Sequence, residues 1–318
     1  MDVRLAPMEG VTDAVYRRVQ HRLFGGVEKY YIPFITPSIH HVFTTRDMRA
    51  IAPENNAGVP CVPQLLTRDA ELFLWAAQQL ADLGYDEVNL NTGCPSGTVT
   101  AKGRGSGMLR DVGALRAFLD AIFSACPLPV SIKTRIGFYD PAEWPAILAV
   151  FRDYPVKELT IHPRTRNEFY KGDVHMECFA LVAECGLPLV FNGNLFGPED
   201  CLALHERYPD MAMMIGRGLI ANPALGRQLH GGAPATHEEL RYYHDVLMEE
   251  YMREYPAPTV HGRMREHMKY LSCCFDGSRK ALKALRKSTP NNYPEAAAML
   301  FSLPLVDSPV YDPDVFSK

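Results

Sequence analysis

The sequence has no paired-cysteine motif and no long apolar run. Its eight cysteines are scattered, no C-x-x-C pair occurs, and no Cys/His spacing resembles a zinc site. We therefore expect reduced thiols and no bound metal. Residues 1–5 lack the charged and apolar regions of a secretory signal, and no apolar run reaches the roughly 18 residues of a membrane span. These absences predict a cytoplasmic protein that does not associate with membranes.

Charge of neither sign dominates the chain. It carries 33 Lys and Arg against 37 Asp and Glu, for a formal net charge of -4. This balance argues against a protein that coats nucleic acid everywhere, but it leaves room for a local basic surface. With 318 residues, 47% of them apolar, the chain is long enough for one large domain and a small one.

Eight short apolar segments alternate with helical patterns along the first 235 residues. This count is typical of a (β/α)₈ TIM barrel, in which each strand is followed by a helix. We therefore predict an α/β fold, with a barrel domain over residues 1–235. The predicted strands span residues 3–6, 30–33, 60–65, 88–92, 129–135, 158–162, 187–191 and 212–215.

The remainder, residues 236–318, is predicted to form a smaller all-helical domain with an extended tail from about residue 303. A glycine- and proline-containing linker at 230–236 separates it from the barrel. Residues 263–287 carry a local surplus of six positive charges. Such a cluster indicates either an RNA-binding surface or an ordinary solvated helix face. Its cations are Arg263, Arg265, Lys269, Arg279, Lys280, Lys283, Arg286 and Lys287.

Polar side chains recur where the predicted barrel strands end. Because the carboxyl ends of barrel strands converge on one face, these residues are candidates for a single site. They are Gln64, Asn91, Lys133, His162, Asn192 and Arg217. After the fourth strand, a single thiol, Cys94, is followed by a loop containing Lys102, Arg104 and three glycines. A strand end that leads into such a loop is where a barrel places its chemistry.

Two glycine-containing turns follow the seventh and eighth predicted strands. They are Asn192-Gly193-Asn194 and Gly216-Arg217-Gly218. In TIM barrels the loops after these two strands often bind phosphate, because glycines let backbone N–H groups approach the phosphate oxygens. Each turn alone is a weak signal, but together they predict a phosphate site.

These motifs resemble the dihydrouridine synthase family, in the same order and at compatible spacing. The resemblance rests on residues 6–13, Gln64, 91–96, 102–107, 131–135, 162–165, 192–193 and 216–218. Asn91-Thr92-Gly93-Cys94-Pro95 and its glycine-rich loop are the most specific part. The resemblance implies an enzyme that reduces the C5–C6 double bond of uridine in tRNA, with bound FMN that NADPH reduces.

The resemblance also implies how FMN lies across the barrel mouth. Gln64 and Lys133 would contact the isoalloxazine ring, and His162 would lie near it. The first strand would line the flavin with Pro7, Met8 and Glu9. The phosphate would be held by Asn192, Gly193, Asn194, Gly216 and Arg217.

Within this family picture, hydride passes to C6 of uracil and Cys94 donates the proton to C5. An unperturbed thiol, with a pKa of about 8.5, carries its proton at neutral pH and suits that role. The target base must be extruded from folded RNA, which needs further RNA contacts. We predict that Asn91 binds the uracil edge. The predicted RNA contacts are Lys102, Arg104, Arg164, Arg166, Arg263, Arg265, Lys269, Lys280, Lys283, Arg286 and Lys287.

Other interpretations stay open from the sequence. The chain could be a flavin oxidoreductase of a free pyrimidine or enone, a flavin-free RNA-binding protein, or a synthase acting on rRNA. Asn89 stands where many relatives carry Asp, and we expect this position to be structural. Gly97 and Thr98 also depart from common family loops, which leaves the modified nucleotide undetermined. We expect a monomer.

Overall fold

Eight parallel strands form a closed barrel in the computed structural model, which describes residues 1–183 and 186–312. Each strand pairs with the next along the chain, and the last pairs with the first. The predicted TIM barrel is therefore confirmed. The strands are β1 (Val3–Leu5), β2 (Lys29–Ile35), β3 (Cys61–Leu65), β4 (Val88–Thr92), β5 (Val130–Gly137), β6 (Leu159–Thr165), β7 (Leu189–Phe191) and β8 (Ala212–Ile215).

Helices cover the outside of the barrel and follow its strands. Several begin at an Asp whose carboxylate accepts a backbone N–H of the first turn, as Asp13 does from Tyr16 at 3.0 Å. Short 3₁₀ turns occur at Pro53–Asn56, Gly105–Arg110 and Pro141–Glu143. The barrel helices are α1 (Ala14–Leu23), α2 (Thr45–Ile51), α3 (Ala70–Asp82), α4 (Gly97–Thr100), α5 (Val112–Ala125), α6 (Trp144–Arg152), α7 (Met176–Ala183), α8 (Pro198–Arg207), α9 (Arg217–Ala221) and α10 (Leu225–Leu229).

Two prolines lie inside strands that the sequence pattern predicts to be shorter. The prediction that β6 ends at His162 is wrong, because β6 continues through Pro163 to Thr165. Pro163 lies where the register of β6 with β5 shifts, between His162 and Thr165. Pro33 in β2 likewise lies at a register shift with β3. Proline has no backbone N–H to donate. It is tolerated at such irregularities because no ladder hydrogen bond is required there.

The barrel interior contains few apolar side chains and many polar ones. Its small apolar cluster consists of Ala6, Tyr31, Val62, Val190, Ala212 and Met214. At the amino-terminal ends of the strands, Lys29 bridges the carboxylates of Glu87 and Glu158 at 2.8 and 3.3 Å. Arg4 also pairs with Glu158. These ion pairs fill the amino-terminal end of the barrel, and the opposite end holds the cavity described below.

Four helices follow the barrel. They are α11 (His237–Glu254), α12 (Ala257–Leu271), α13 (Arg279–Lys287) and α14 (Tyr293–Phe301), with a 3₁₀ turn at Ser272–Cys274. Leu305 then forms an isolated antiparallel bridge with Phe275. The last residues of the predicted tail, from Pro313, lie outside the described residues. Within the described part of the chain, no helix has both the length and the hydropathy to cross a membrane.

The helical region packs against α1 through a polar cluster. The carboxylate of Asp13 accepts a hydrogen bond from the Tyr251 hydroxyl at 3.0 Å and pairs with Arg263. His267 stacks on Tyr16, with 5.3 Å between ring centroids. The Arg263 guanidinium also lies 4.4 Å from the centroid of the Tyr255 ring. Arg263, which the sequence analysis placed among the RNA contacts, thus joins the helical region to the barrel.

Because Arg263 pairs with Asp13 across this interface, we expect replacement of Arg263 to affect stability more than replacement of its neighbour Arg265. Arg263→Met would leave Asp13 without its cation, so we expect the free energy of unfolding to fall by about 2 kcal/mol. Arg265→Met is the matched control, since Arg265 borders a surface groove. Urea unfolding of both variants measures the difference. Equal stability of the two would show that the ion pair with Asp13 does not hold the interface.

Candidate active site

A cavity opens at the carboxyl ends of the strands and consists of two connected lobes. The first, of about 400 Å³, lies beside β7 and β8, and the second, of about 550 Å³, lies beside the loop after β4. The closed barrel brings all eight strand ends to this face, which is why residues far apart in sequence line one space. Both lobes are bordered by Pro7, Met8, Lys133, His162, Tyr170 and Tyr270.

The first lobe contains the two predicted glycine turns. All five residues that the sequence analysis assigned to phosphate binding line it: Asn192, Gly193, Asn194, Gly216 and Arg217. Asn194 adopts a left-handed backbone with φ 46°, which Asn tolerates better than most residues. A Cβ at Gly216 would lie 3.2 Å from the Met8 sulfur, a tight contact that the Met8 side chain would have to relieve by moving.

The charge of the first lobe is positive. Lys133, Arg217 and Lys269 line it, and no carboxylate belongs to the described residues around it. The Arg217 guanidinium is held among aromatic rings, 4.9 Å from the centroids of both Phe196 and Tyr311. A cationic cavity without acidic side chains favours an anionic ligand.

Lys133 stands between the two lobes. Its ammonium donates to Asn192 Oδ1 at 2.7 Å, and Asn192 Nδ2 donates to the Met214 carbonyl at 2.7 Å. Burial, with a smaller contribution from the neighbouring Arg135, lowers the pKa of Lys133 to about 7. The charged form of Lys133 is therefore costly in this buried position, and a bound anion would stabilise it.

Arg164 is fully buried and holds His162. Its guanidinium lies 3.0 Å from His162 Nε2 and donates to Asn194 Oδ1 at 3.0 Å and to the Lys171 and Gly172 carbonyls. Burial and the surrounding cations lower the pKa of His162 well below its ordinary value. Nε2 of the neutral ring accepts from Arg164, so its proton is on Nδ1. Arg164 was predicted to contact RNA, but its burial leaves no surface for that contact.

The second lobe contains the thiol. Cys94 lies just after β4, and Asn91 Oδ1 accepts the backbone N–H groups of Gly93 and Cys94 at 3.0 and 2.9 Å. The Cys94 carbonyl accepts from the Ser106 hydroxyl at 2.8 Å. Gly105 has φ +56°, and a Cβ there would lie 2.9 Å from the Cys94 carbonyl oxygen. The loop is thus packed tightly around the thiol.

The Cys94 thiol stays protonated in this environment. Burial is the main cause that raises the pKa of Cys94, and the carboxylate of Glu9 adds to it, while Arg135 and Lys133 oppose it. A protonated thiol is a poor nucleophile but a usable proton donor.

Gln64 does not line the cavity, although the sequence analysis placed it against the flavin. Its side chain is fully buried inside the barrel. Gln64 Nε2 donates to Asn89 Oδ1 at 2.7 Å, and Gln64 Oε1 accepts from Asn91 Nδ2 at 2.8 Å. Both ends of the amide are therefore already bonded within the protein.

The other predicted residues of the barrel loops lie at or outside the rim. Glu9 borders the second lobe, and its exposed carboxylate pairs with Arg46 at 2.8 Å. Lys102 is exposed and Arg104 half-buried. Arg166 packs over the Phe138 and Phe169 rings, at 5.3 and 5.0 Å.

The cations of the basic cluster in the helical region separate into four places. Arg263 is in the interface with α1, and Lys269 reaches the first lobe. Arg265 and Arg286 border a groove between α12 and α13. Arg279, Lys280, Lys283 and Lys287 are exposed on α13.

The sequence analysis missed four residues that shape the cavity. Arg135 donates to the Gly93 carbonyl at 3.0 Å and to the Thr165 carbonyl at 2.9 Å, so it ties the thiol loop to β6. Tyr170 follows β6, while Tyr270 and Tyr311 enter from the helical region. Arg135 could have been found from its place at the end of β5, but no pattern in the sequence marks the three tyrosines.

Fold and site together define a TIM-barrel protein with a cationic cavity beside a thiol. The family model of the dihydrouridine synthases matches residues 4–289. The chain therefore belongs to the dihydrouridine synthase family.

Individual relatives agree with this family. The chain is 27% identical over 285 residues to tRNA-dihydrouridine synthase B of Pseudomonas aeruginosa, which covers 89% of this chain and 81% of the relative. It is 33% identical over 226 residues to a probable tRNA-dihydrouridine synthase of Staphylococcus aureus, with 69% and 68% covered. Among solved structures, morphinone reductase superimposes with a TM-score of 0.53 at 15% identity, over 74% of this chain and 87% of that one. That likeness concerns the fold alone.

The lowered pKa of Lys133 predicts a pH-dependent stability. A lysine in the unfolded chain is protonated up to about pH 10.4, whereas folded Lys133 has a pKa of about 7. Between these values the unfolded state binds more protons, so stability rises with pH. The cost of burying the charge is complete below pH 7 and disappears above about pH 10.4.

In ligand-free protein we therefore expect Lys133→Met to raise the free energy of unfolding at pH 7 by about 1–2 kcal/mol. The gain should shrink by pH 9.5. Urea unfolding at both pH values measures it, with Lys102→Met at an exposed lysine as the control. A difference between Lys133→Met and the parent protein that is the same at both pH values would contradict the assignment.

Proposed function

We propose that this protein reduces the C5–C6 double bond of a uridine in tRNA, with FMN as bound cofactor and NADPH as reductant. The observation that carries the proposal is the cavity itself, in which a cationic lobe and a protonated thiol lie on opposite sides of Lys133 and His162. The names of the curated relatives support tRNA as the substrate. We also propose that the protein acts as a cytoplasmic monomer.

The residues of the first lobe fit the phosphate of FMN. Arg217 and Lys269 line this lobe and supply positive charge. Gly193 lets its turn pack against Val174, since a Cβ there would lie 2.8 Å from a Val174 methyl carbon. Glycine-containing turns of this kind can present backbone N–H groups to phosphate oxygens.

The border between the two lobes fits the flavin ring. Lys133 Nζ and the Nδ1–H of neutral His162 are donors suited to the ring's polar edge, and Met8 offers an apolar surface. When bound and reduced, FMN supplies the hydride that C6 of uracil receives. Arg164 keeps the His162 ring oriented, because its guanidinium occupies Nε2, while burial and the surrounding cations keep the ring neutral.

Cys94 supplies the proton. Its S–H bond breaks as the new C5–H bond forms, and the resulting thiolate regains a proton from solvent. The raised pKa suits this step, because the sulfur carries a proton at neutral pH and returns to that state afterwards. Arg135 and Asn91 hold the loop that carries the thiol.

The surroundings of the mouth fit an extruded nucleotide. Tyr139, Phe169 and Tyr170 remain 63%, 39% and 55% exposed near the opening, and exposed rings are surfaces on which bases stack. The groove bordered by Arg265 and Arg286, together with the exposed lysines of α13, supplies the cations for the RNA backbone. Lys102, Arg104 and Arg166 remain candidates near the thiol loop.

Replacing the thiol tests the chemical step. We expect Cys94→Ala to lower the rate of tRNA reduction by about 10²–10⁴-fold, the usual contribution of a general acid. Flavin absorbance and flavin reduction by NADPH should be unchanged. Cys126→Ala, at a half-buried cysteine outside the cavity, is the control. A Cys94→Ala enzyme that keeps its full rate would exclude the thiol as proton donor.

Replacing the cations of α13 tests the RNA surface. We expect Lys280→Gln, Lys283→Gln and Lys287→Gln combined to weaken tRNA binding and to reduce the slope of log affinity against log salt. The measurement is tRNA affinity between about 50 and 200 mM salt.

Equal reduction of free uracil and of tRNA by the parent protein would favour the small-molecule oxidoreductase instead.

A further inference from the structure

The chain that follows the last helix returns to the barrel beside the first lobe. Leu305 forms its bridge with Phe275 of the helical region. Further along, the Tyr311 N–H donates to the Phe196 carbonyl at 3.1 Å, and Phe196 belongs to the loop after β7. Residues 305–312, which we call the strap, therefore join the helical region to one of the loops that line the cavity.

The strap packs directly on the loop after β7. A Cβ at Gly197 would lie 2.7 Å from a Val310 methyl carbon, closer than real side chains approach. The same loop packs on α9, because a Cβ at Gly218 would lie 2.4 Å from the Leu195 carbonyl oxygen. In a close-packed stack of this kind a displaced strap would also disturb the loop and the start of α9.

Tyr311 of the strap lines the first lobe, and its side chain is buried there. Its ring stacks on Tyr270 with 5.9 Å between the ring centroids, and the Phe196 ring lies 5.2 Å away. The strap thus contributes an aromatic side chain to the wall of the cavity, fixed on two sides by other rings.

The Arg217 guanidinium is enclosed by rings from three separate segments. Phe196 and Tyr311 lie 4.9 Å from it, and Tyr170, after β6, lies 5.2 Å from it, each measured to the ring centroid. Aromatic faces attract a cation but do not neutralise it, whereas a paired carboxylate would. The rings therefore hold Arg217 in place and leave its positive charge available to an anion.

We propose that Tyr311 is a positioning residue, through which the strap holds Arg217 for the phosphate group of a ligand in the first lobe. Binding of the phosphate and docking of the strap then stabilise each other, because coupling between two sites is reciprocal. The contacts of the strap are independent of the proposed function, while FMN as the ligand rests on it.

Two flavins that differ only in the phosphate test this role. Riboflavin has the ring system and ribityl chain of FMN but no phosphate. We expect Tyr311→Leu to weaken FMN binding about tenfold, within the range of a partly desolvated cation–π contact. Riboflavin affinity should stay within about twofold of the parent value. Quenching of flavin fluorescence by the full chain, freed of bound flavin, measures both.

Tyr242→Leu, at an exposed tyrosine of α11, is the control for loss of an aromatic side chain. It should leave the affinity for both flavins unchanged. If Tyr311→Leu weakens FMN and riboflavin to the same degree, the strap does not act at the phosphate and the proposal is overturned.

A second substitution distinguishes positioning of Arg217 from general support of the fold. In an Arg217→Gln background, Tyr311→Leu should change FMN affinity by less than about twofold, because the cation on which it acts is gone. A side chain that only supports packing would cost about tenfold in both backgrounds. Such additivity would overturn the proposal.

Hydrogen exchange tests the reciprocal effect in the parent protein and needs no variant. The Tyr311 N–H reports docking of the strap, since it is bonded to the Phe196 carbonyl. We expect this segment to exchange at least about threefold more slowly with saturating FMN than with saturating riboflavin. Equal exchange with the two flavins would show that phosphate binding and strap docking are not coupled.

Inorganic phosphate separates failure of this proposal from failure of the proposed function. If the parent protein binds neither flavin, the proposed role of FMN fails, and the exchange of residues 305–312 is compared with and without inorganic phosphate. Slower exchange with phosphate, lost in Arg217→Gln, would support the strap without FMN. Exchange that neither FMN nor phosphate slows would overturn the proposal.

Discussion

Pairing of β1 with β8 closes the barrel, and the site depends on this closure. Val3, Arg4 and Leu5 lie in register with Met213, Met214 and Ile215, so the last strand returns beside the first. The residues that follow these strands, Met8 and Gly216, then touch across the seam. In an open sheet the loops after β1 and β8 would lie at opposite edges and could not border the same cavity.

Closure also decides the electrostatics of the mouth. Burial is the main cause that lowers the pKa values of Lys133, Arg135 and Arg164, which come from two neighbouring strands. A neighbouring cation adds to the effect in each case: Arg135 for Lys133, Arg164 for Arg135 and Arg217 for Arg164. The acidic residues of the interior, Glu87 and Glu158, lie at the other end of the barrel. This separation leaves a concentration of positive charge at the cavity, which an anionic ligand would neutralise.

The sequence was sufficient for the parts of the structure that follow from local pattern. The eight strands, the glycine turns after β7 and β8, and the place of Cys94 were all predictable, because alternation and turn chemistry are properties of short segments. Strand ends were not, since Pro33 and Pro163 sit at register shifts that depend on the neighbouring strand.

The residues whose roles differ from prediction are those whose partners are distant. Gln64 was predicted to contact the flavin, yet both ends of its amide bond to asparagines of the neighbouring strand β4. Arg164 turns inward to His162. Arg263 resembles its exposed neighbours in sequence but finds Asp13 in another part of the chain. Which face a polar side chain presents is set by packing, and no short motif records it.

The helical region contributes part of the cavity wall. Lys269, Tyr270 and Tyr311 come from segments that follow the barrel, yet they stand beside Arg217 and His162. The barrel is therefore not a self-sufficient catalytic module to which an independent RNA-binding unit has been appended. A chimera that exchanged the helical segments between two relatives would also exchange part of the cavity wall, so the ligand preference of the cavity and the surface charge of the helices would be inherited together.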